Sequence, residues 1–283
     1  MTTTMSTQVP TGPDAAGFDP VTAPRRTASR GPGRTVRHVG ALAWRSLLKT
    51  YRTPEALIDV TIQPIIFLLL FVYVFGGAVS GSQHAYLQLV VPGILVQSLL
   101  FGSIAIGVNL NTDIEKGVFD RFRSLPIARF APLAGGVLAD LLRYVILSVF
   151  LFGTATIMGF RIETNWLWAI GAILFGIAFA LCLSWVGVWV GMKARSAGAV
   201  QGIAFLVMFP LTFGSNAYVP TDTLPGWLQA FVKVNPTSHL VDAIRGIMVG
   251  GPILSDTLIC LAWMAGLLIV FVPLATRAYK RRV

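Results

Sequence analysis

Ionisable side chains next to or inside long apolar runs are the residues of this sequence best placed to do chemistry. Asp59 lies in a run that continues to Phe75, and Asp140 lies at the start of another, with Arg143 three positions on. A charge within a membrane segment is costly and marks ion pathways or proton relays unless a partner neutralises it. Two interpretations stay open: Asp59 is a structural anchor or a proton carrier, and Asp140 with Arg143 is a structural i,i+3 pair or a substrate or proton site.

Motifs for hydrolysis or metal binding are missing from the sequence. It contains no phosphate-binding loop of the type G-x4-G-K-[ST], no H-E-x-x-H and no G-x-S-x-G. His38, His84 and His239 are scattered, while Cys182 and Cys260 each lie in an apolar run, which indicates packing rather than a disulfide. We expect no catalytic, cofactor or metal site, and no ATP hydrolysis by this chain itself.

The segment 111–127, NTDIEKGVFDRFRSLPI, offers a different chemistry, that of docking. Ile114, Val118, Phe122 and Leu125 recur close to the period of a helix, among charges of both signs. An apolar stripe on a short charged helix is typical of a helix that binds in a groove of a partner. The alternative is a solvated loop with incidental apolar residues.

The composition places these residues in a membrane protein. Of 283 residues, 55% are hydrophobic and 12% are charged, whereas a soluble domain is about 25% charged. A membrane-spanning helix needs about 20 mostly apolar residues. Six runs qualify: approximately Leu57 to Phe75, Leu87 to Val108, Leu141 to Phe160, Trp166 to Val190, Ala197 to Phe213 and Thr257 to Thr276.

The basic residues predict the orientation of these spans. Most of those near span ends fall on one side, whereas the opposite side has only Arg161, Lys233 and Arg245. The crowded side carries Arg37, Arg45, Lys49, Arg52, Lys116, Arg121, Arg123, Arg129, Lys193, Arg195, Arg277, Lys280, Arg281 and Arg282. The positive-inside rule therefore places both termini in the cytoplasm, in agreement with an even number of spans.

The N-terminal part precedes the membrane domain. Residues 1–33 are rich in Thr, Ser, Pro, Gly and Ala, and we expect a disordered cytoplasmic tail. Residues 34–53 place basic and apolar side chains on opposite faces of a helix, which predicts an amphipathic helix on the anionic inner leaflet. The alternative is a basic cluster that only sets topology. Pro54 ends this helix, and residues 54–283 form the transmembrane domain.

Two further features concern how the helices pack. The spacings Gly187-x3-Gly191 and Gly198-x3-Gly202 permit close helix approach, although glycine is common in membrane helices. In the long outer segment 214–252, two short helical candidates, Trp227 to Val234 and Ser238 to Met248, flank Asn235-Pro236. Neither can span a bilayer, so we expect a helical hairpin that dips into the outer leaflet.

These motifs in this order resemble a known family. The basic helix, QPIIF with VFGGAV, YLQLVVPGILVQ, GVFDRFRSLPI, and FPLTFGSNAYVP with LPGWLQAF and NPTSHLVDAIRG resemble ABC-2-type permeases over residues 35–283. The daunorubicin-resistance-type branch of drug and lipid exporters is the most similar. The resemblance implies an all-α membrane fold of six transmembrane helices, with an N-terminal interfacial helix, a cytoplasmic coupling helix and an outer re-entrant hairpin.

The resemblance also implies partners and site residues. ATP would be hydrolysed by a separate ABC ATPase subunit, and two permease chains, alike or different, would complete the transporter. The coupling residues would be Ile114, Glu115, Gly117, Val118, Asp120, Arg121, Phe122, Arg123, Leu125 and Pro126, and the hairpin residues Pro220, Pro225, Trp227, Asn235, Pro236 and Arg245. Many relatives carry Leu-Glu where this chain has Phe119-Asp120, so contacts of that carboxylate are not carried over.

The expected function is that of a permease subunit of an ATP-driven exporter for an amphipathic or hydrophobic compound, a drug or a lipid. We expect it in the cell membrane, in contact with lipid and not with nucleic acid. The rival is a proton-coupled drug transporter that uses Asp59 or Asp140 as its carrier.

Overall fold

The computed structural model describes residues 54–117 and 131–282, and in these two segments every regular element is helical. The predicted tail 1–33 and interfacial helix 34–53 lie outside the described residues. We number the α-helices α1 Pro54–Ser80, α2 Gln83–Gly102, α3 Ala105–Glu115, α4 Ala131–Ile157, α5 Trp166–Lys193, α6 Ala197–Phe213, α7 Gly226–Val234, α8 Pro236–Val249 and α9 Leu254–Arg282, with a 3-10 turn at Thr221–Thr223.

Short polar side chains begin several of these helices, because the first backbone N–H groups of a helix need acceptors. Ser82 accepts from the N–H of Ala85 at the start of α2, and Ser196 accepts from Ala199 at the start of α6. Asn165 caps α5 in the same way. The apolar runs therefore begin where the sequence offers a cap, close to the predicted boundaries.

Five stretches of the described chain are long and apolar enough to cross a membrane. They are Thr61–Ser80, Gln83–Glu115, Gly136–Ile157, Trp166–Lys193 and Leu254–Tyr279. Each overlaps a predicted span. The remaining predicted span, α6, is an apolar helix of 17 residues, which is shorter than the other five.

The second span is broken, a feature that the sequence reading did not predict. Ser103 and Ile104 separate α2 from α3, and the Ser103 hydroxyl donates to the carbonyl of Leu100 at 2.6 Å. A side chain at Gly102 would meet the ring of Tyr144 on α4. The side chain of Tyr144 on α4 therefore lies close to the backbone of this span, next to the break.

The helix α2 occupies the centre of the bundle. Tyr86, Leu95 and Leu99 on α2 pack in one cluster with Ile177 of α5 and Ile244 of α8, and none of the five is more than 2% exposed. Large apolar side chains instead face outward on α6 and α9, with Leu206 74% and Ile269 73% exposed. An apolar exterior of this extent fits a lipid environment.

Glycines allow α3 to pack closely against α5. A side chain at Gly107 would overlap the carbonyl oxygen of Gly187, and one at Gly191 would overlap that of Gly107. Asn111 Nδ2 then donates to the carbonyls of Gly191, at 2.9 Å, and Ala194, at 3.1 Å. The predicted close approach at Gly187-x3-Gly191 is confirmed.

The other predicted spacing behaves differently, because side chains at Gly198 and Gly202 would meet nothing within 4 Å. Among the described residues, therefore, these two glycines of α6 do not bring another helix close.

Candidate functional site

A cavity of about 480 Å³ lies where α2 and α3 separate, enclosed by α1, α2, α3, α4 and α6. Its lining mixes polar and aromatic side chains. The polar ones are Gln63, Gln97, Ser98, Asn109, Arg143, Tyr144 and Gln201, and the aromatic rings beside them are Phe67, Phe101 and Phe205. Its volume falls in the range of small-molecule sites, about 300–1,000 Å³.

The same short pattern on three helices builds much of this wall. Gln63 and Phe67 on α1, Gln97 and Phe101 on α2, and Gln201 and Phe205 on α6 are each four residues apart. Residues at i and i+4 share one helix face, so each helix presents an amide beside a phenyl ring. These six residues were not predicted as site residues. A glutamine within each of the three apolar runs was the sequence feature that could have indicated them.

Arg143 brings a charge to the cavity wall. Its Nη1 donates to Asp140 Oδ1 at 3.1 Å, so the predicted i,i+3 pair is formed. Asp140 is 5% exposed, and only Arg143 of the two lines the cavity. Arg143 Nε and Asp140 Oδ2 are buried without a hydrogen-bond partner among the described residues. Asp59 lies in α1, but its side chain lies outside the part of the chain that can be described.

Tyr218 joins the cavity to the outer segment. Its hydroxyl donates to Gln97 Oε1, and its carbonyl accepts from the hydroxyl of Tyr86 at 3.1 Å. Its ring stacks on Phe71, 4.5 Å away between centroids, and on Phe213, 5.2 Å away. The side chain of Tyr218 therefore connects the outer segment with the cavity residue Gln97.

In the outer segment, α8 is buried in the bundle rather than lying on its surface. Leu240, Val241, Ile244 and Met248 are each 0% exposed. The carbonyl of Met248 accepts from the N–H of Glu163 in the loop before α5, at 3.1 Å. The predicted helix Ser238 to Met248 is thus present, one turn longer, as a packed element.

A polar network fixes α8 to the rest of the outer side. Asn216 Nδ2 donates to both oxygens of Asp242, at 2.8 and 2.7 Å, and Arg245 Nη1 donates to Asp242 at 2.9 Å. Arg245 Nη2 also donates to the carbonyls of Leu89, at 3.1 Å, and Asn216, at 3.0 Å. Burial raises the pKa of the Asp242 carboxyl, and the neighbouring Arg245 opposes this shift.

His239 connects α7, α8 and α9. Its Nδ1 lies 2.7 Å from Asp256 Oδ1, and its Nε2 lies 3.0 Å from the carbonyl oxygen of Lys233. By contrast, α7 exposes large apolar side chains, with Trp227 75% and Val234 66% exposed. The outer segment therefore combines a buried helix with an exposed apolar one.

The predicted hairpin residues lie at the ends and faces of these helices. Pro220 and Pro225 precede the 3-10 turn and α7, and Pro236 is the first residue of α8. Asn235 caps α8 through the N–H of Thr237, while its Nδ2 donates to the carbonyl of Leu211 at 2.8 Å. The two helices and the Asn235-Pro236 break between them are confirmed.

The predicted coupling residues are described only in part. Helix α3 ends at Glu115, and Gly117 has a φ of +66°. Ile114 therefore belongs to the end of α3, where it is partly buried against a cluster that includes Val188 of α5 and Tyr279 of α9. Val118, Asp120, Arg121, Phe122, Arg123, Leu125 and Pro126 lie outside the described residues.

Metal binding finds no support in the part of the chain that is described. Within residues 54–117 and 131–282, no group of three or more His, Cys, Asp or Glu side chains is placed to hold a metal ion. Cys182 and Cys260 are both free and buried.

Comparison with known proteins assigns this architecture. A family model described as ABC-2 type transporter matches residues 37–249. The chain belongs to this family. As an ABC-2 type transporter protein with several apolar helices of spanning length, it is a multi-pass membrane protein.

Named relatives of this ABC-2 type chain are permease subunits. It is 41% identical over 239 residues to the daunorubicin resistance ABC transporter permease protein DrrB1 of Streptomyces coeruleorubidus. The aligned region covers 84% of this chain and 84% of the relative. It is 30% identical over 243 residues to the probable doxorubicin resistance ABC transporter permease protein DrrC of Mycobacterium tuberculosis, covering 84% of this chain and 86% of the relative. The predicted resemblance to this branch is confirmed.

Proposed function

We propose that this chain is the membrane-spanning permease subunit of an ATP-binding-cassette exporter that moves an amphipathic or hydrophobic compound out of the cytoplasm or the inner leaflet. The observation that carries the proposal is the mixed polar and aromatic cavity at the break between α2 and α3. An apolar pocket with a few convergent polar groups is the usual form of a small-molecule site. The relatives, named for daunorubicin and doxorubicin resistance, support a small-molecule cargo.

The proposed topology has six spans with both termini in the cytoplasm of a cell-membrane protein. In this topology α6 crosses as the fifth span, and its 17 residues cover roughly 25 Å at 1.5 Å per residue. That length is near the lower limit for a span, which is about 17 residues. Its exposed side chains are almost all apolar, as lipid contact requires.

The proposed coupling element is the segment 114–126, which would bind a separate ABC ATPase subunit. It follows directly on α3, and α3 is fixed to α5 through Gly107, Gly191 and Asn111. A push on the segment would therefore be passed to α5 and to the cavity side of the bundle, while the break at Ser103 and Ile104 lets α3 move relative to α2. A second permease chain, alike or different, would complete the transporter.

The outer hairpin, residues 220–245, would cap the exit of the transport path within the outer leaflet. The exposed apolar side chains of α7 would face lipid, and the Asp242–Arg245 network would hold α8 in place. Tyr218, two residues before the hairpin, would connect it with the cavity through Gln97.

The proposal can be tested in inverted membrane vesicles that contain the chain together with the ABC ATPase it co-purifies with. Uptake of daunorubicin, a pyrene-labelled fatty carboxylate and a pyrene-labelled alkylamine is measured with ATP, with a non-hydrolysable analogue, and with a proton gradient alone. We expect uptake of at least one compound that requires ATP hydrolysis. Uptake driven by the gradient without ATP, and lost in Asp59→Asn or in Asp140→Asn, would instead establish the proton-coupled rival.

A further inference from the structure

The hydrogen-bonding groups around the cavity are unevenly divided between donors and acceptors. Among the described lining residues, Arg143 is the only one with a formal charge, and a guanidinium has five N–H donors and no acceptor. Asp140 accepts from Nη1 at one of its oxygens and does not line the cavity. Of this ion pair, the cationic Arg143 therefore lines the cavity, and the anionic Asp140 does not.

One neighbouring polar group strengthens this bias toward donors. The carbonyl oxygen of Gln97 already accepts from Tyr218, so the amide NH2 is the end of Gln97 left for a ligand. The hydroxyl of Ser98 donates to the carbonyl of Ile94, at 2.6 Å, so it offers a ligand only its oxygen lone pairs and does not add to the bias. Gln63 and Gln201, at the exposed rim, can rotate to donate or accept. A bound molecule thus meets fixed N–H donors in the interior.

The remaining wall suits an apolar body. Phe101 and Phe205 approach with their ring centroids 6.1 Å apart, and Phe67 adds a third ring. Phe205 is 54% exposed, so this aromatic side is also where the cavity opens. An amphiphile can therefore lay its apolar part along the opening and place its head against Arg143.

We infer that the cavity binds an amphiphile whose head group carries negatively charged, hydrogen-bond-accepting oxygens, with the head at Arg143 and Gln97 and the apolar part on Phe67, Phe101 and Phe205. Calling this molecule the cargo rests on the proposed function, whereas its binding does not. A carboxylate or phosphate gains charge-assisted hydrogen bonds from a guanidinium, and an ammonium head is repelled by it. The same chemistry is found in the head group of an anionic lipid and in a free organic anion.

The test compares three molecules of equal length: pyrene-labelled dodecanoate, dodecanol and dodecylamine. Binding to the full chain in phosphatidylcholine nanodiscs is measured without ATP, and the signal of empty nanodiscs is subtracted. We expect the carboxylate to bind at least about tenfold more tightly than the amine, with the alcohol between them. Equal binding of carboxylate and amine, or tighter binding of the amine, would overturn the inference.

Substitutions test which residues cause the preference for the carboxylate over the amine. The double variant Asp140→Asn with Arg143→Gln removes both charges without leaving a buried carboxylate alone, and it should bind carboxylate and amine within a factor of about two. Lys233→Gln removes an exposed positive charge far from the cavity and should keep the preference. A preference that survives in the double variant places the anion elsewhere and contradicts the inference.

A cavity-filling variant keeps the test decisive if the double variant does not fold. Ser98→Phe leaves Arg143 and Asp140 in place and fills part of the cavity, so it should weaken all three molecules by a similar factor, at least about fivefold. Unchanged binding of the carboxylate in a folded Ser98→Phe protein would show that the anion binds outside the cavity.

A final measurement distinguishes the two sources of the anion. Native mass spectrometry of protein from nanodiscs of mixed phosphatidylglycerol and phosphatidylcholine shows which lipid is retained. Phosphatidylglycerol that dodecanoate displaces supports a lipid head group, and a cavity that retains neither lipid yet binds dodecanoate supports a free organic anion. Because no ATP is present, a failure of ATP-dependent transport with binding intact would overturn the exporter and leave this site standing.

Discussion

At the scale of single residues, the outer side of the bundle is joined by the partly buried pair Asp242 and Arg245. Arg245 makes hydrogen bonds to Asp242, to Leu89 and to Asn216, so one side chain joins α8, α2 and the segment after α6. A buried charge is tolerated only while its partner remains.

Arg245→Met should therefore destabilise the protein, because it leaves the partly buried Asp242 carboxylate without its cation. We expect a loss of about 1–3 kcal/mol in the free energy of unfolding, seen as a lower melting temperature in detergent. Arg195→Met, at an exposed arginine between α5 and α6, is the matched control and should melt like the parent. Equal melting of the two variants would show that the network contributes little.

The residue scale also separates what the sequence could reveal from what it could not. The Asp140 and Arg143 contact follows from a spacing of three residues on one helix, so it was predictable. Asn216 and Asp242 are 26 positions apart, and Arg245 reaches Leu89 across 156, so no local pattern indicates either contact. The role of Gln97 was hidden for the same reason, since its partner Tyr218 comes from a distant segment.

At the scale of elements, the close contact of α3 and α5 links the proposed coupling segment to the bundle. Gly107 and Gly191 let the two backbones touch, and Asn111 adds hydrogen bonds across the contact. In the proposed mechanism, this contact both packs α3 against α5 and transmits movement between them.

Gly191→Val should separate these helices, because its side chain would overlap the backbone of Gly107. Overpacking of this kind costs about 1–3 kcal/mol, and we expect both a lower melting temperature and less transport per ATP hydrolysed. Gly171→Val changes the same helix at a position with nothing within 4 Å and serves as the control. If Gly191→Val melts and transports like Gly171→Val, the close approach has no role in coupling.

The exposed helix α7 gives a prediction about the membrane. If the outer hairpin lies in the outer leaflet, Trp227→Cys should react slowly with a membrane-impermeant maleimide on intact cells. Asp222→Cys, on the neighbouring 3-10 turn, is exposed and should react quickly. The native Cys182 and Cys260 are buried and should give little background. Similar rates for the two introduced cysteines would show that α7 lies in water.

Element types were predictable from the sequence to different degrees. Apolar length located every long helix, because a span needs a sustained run, and Asn235-Pro236 located the break between α7 and α8. The break at Ser103 and Ile104 was not visible, since the run around it stays apolar and has no proline at the break. The end of α3 at Glu115 and the turn at Gly117 were not visible in the spacing of the apolar residues either.

At the scale of the whole molecule, the distribution of apolar surface describes a protein built for lipid. The central helix α2 is buried while α6 and α9 expose large apolar side chains. The chain belongs to the ABC-2 type transporter family, and its fold provides a cavity, the two outer helices α7 and α8, and a helix leading to the proposed coupling segment.

The proposed topology makes a prediction for the complete chain. With six spans and both ends in the cytoplasm, a fluorescent protein fused after Val283 should fold and fluoresce, whereas alkaline phosphatase at the same position should stay inactive. The reverse result would mean that α6 does not cross the membrane, since five spans place the two termini on opposite sides.

The central claim is that a separate ATPase drives this chain through the segment 114–126, and one variant tests it most directly. Phe122→Ala removes an apolar anchor and keeps every charge, and truncating an interface anchor can cost about 2 kcal/mol or more. ATP-dependent uptake into inverted vesicles and co-purification of the ATPase are measured together. Phe150→Ala, at a largely exposed phenylalanine of α4, is the control. We expect Phe122→Ala to lose ATPase binding and uptake while Phe150→Ala keeps both; full binding and full uptake in Phe122→Ala would contradict the claim.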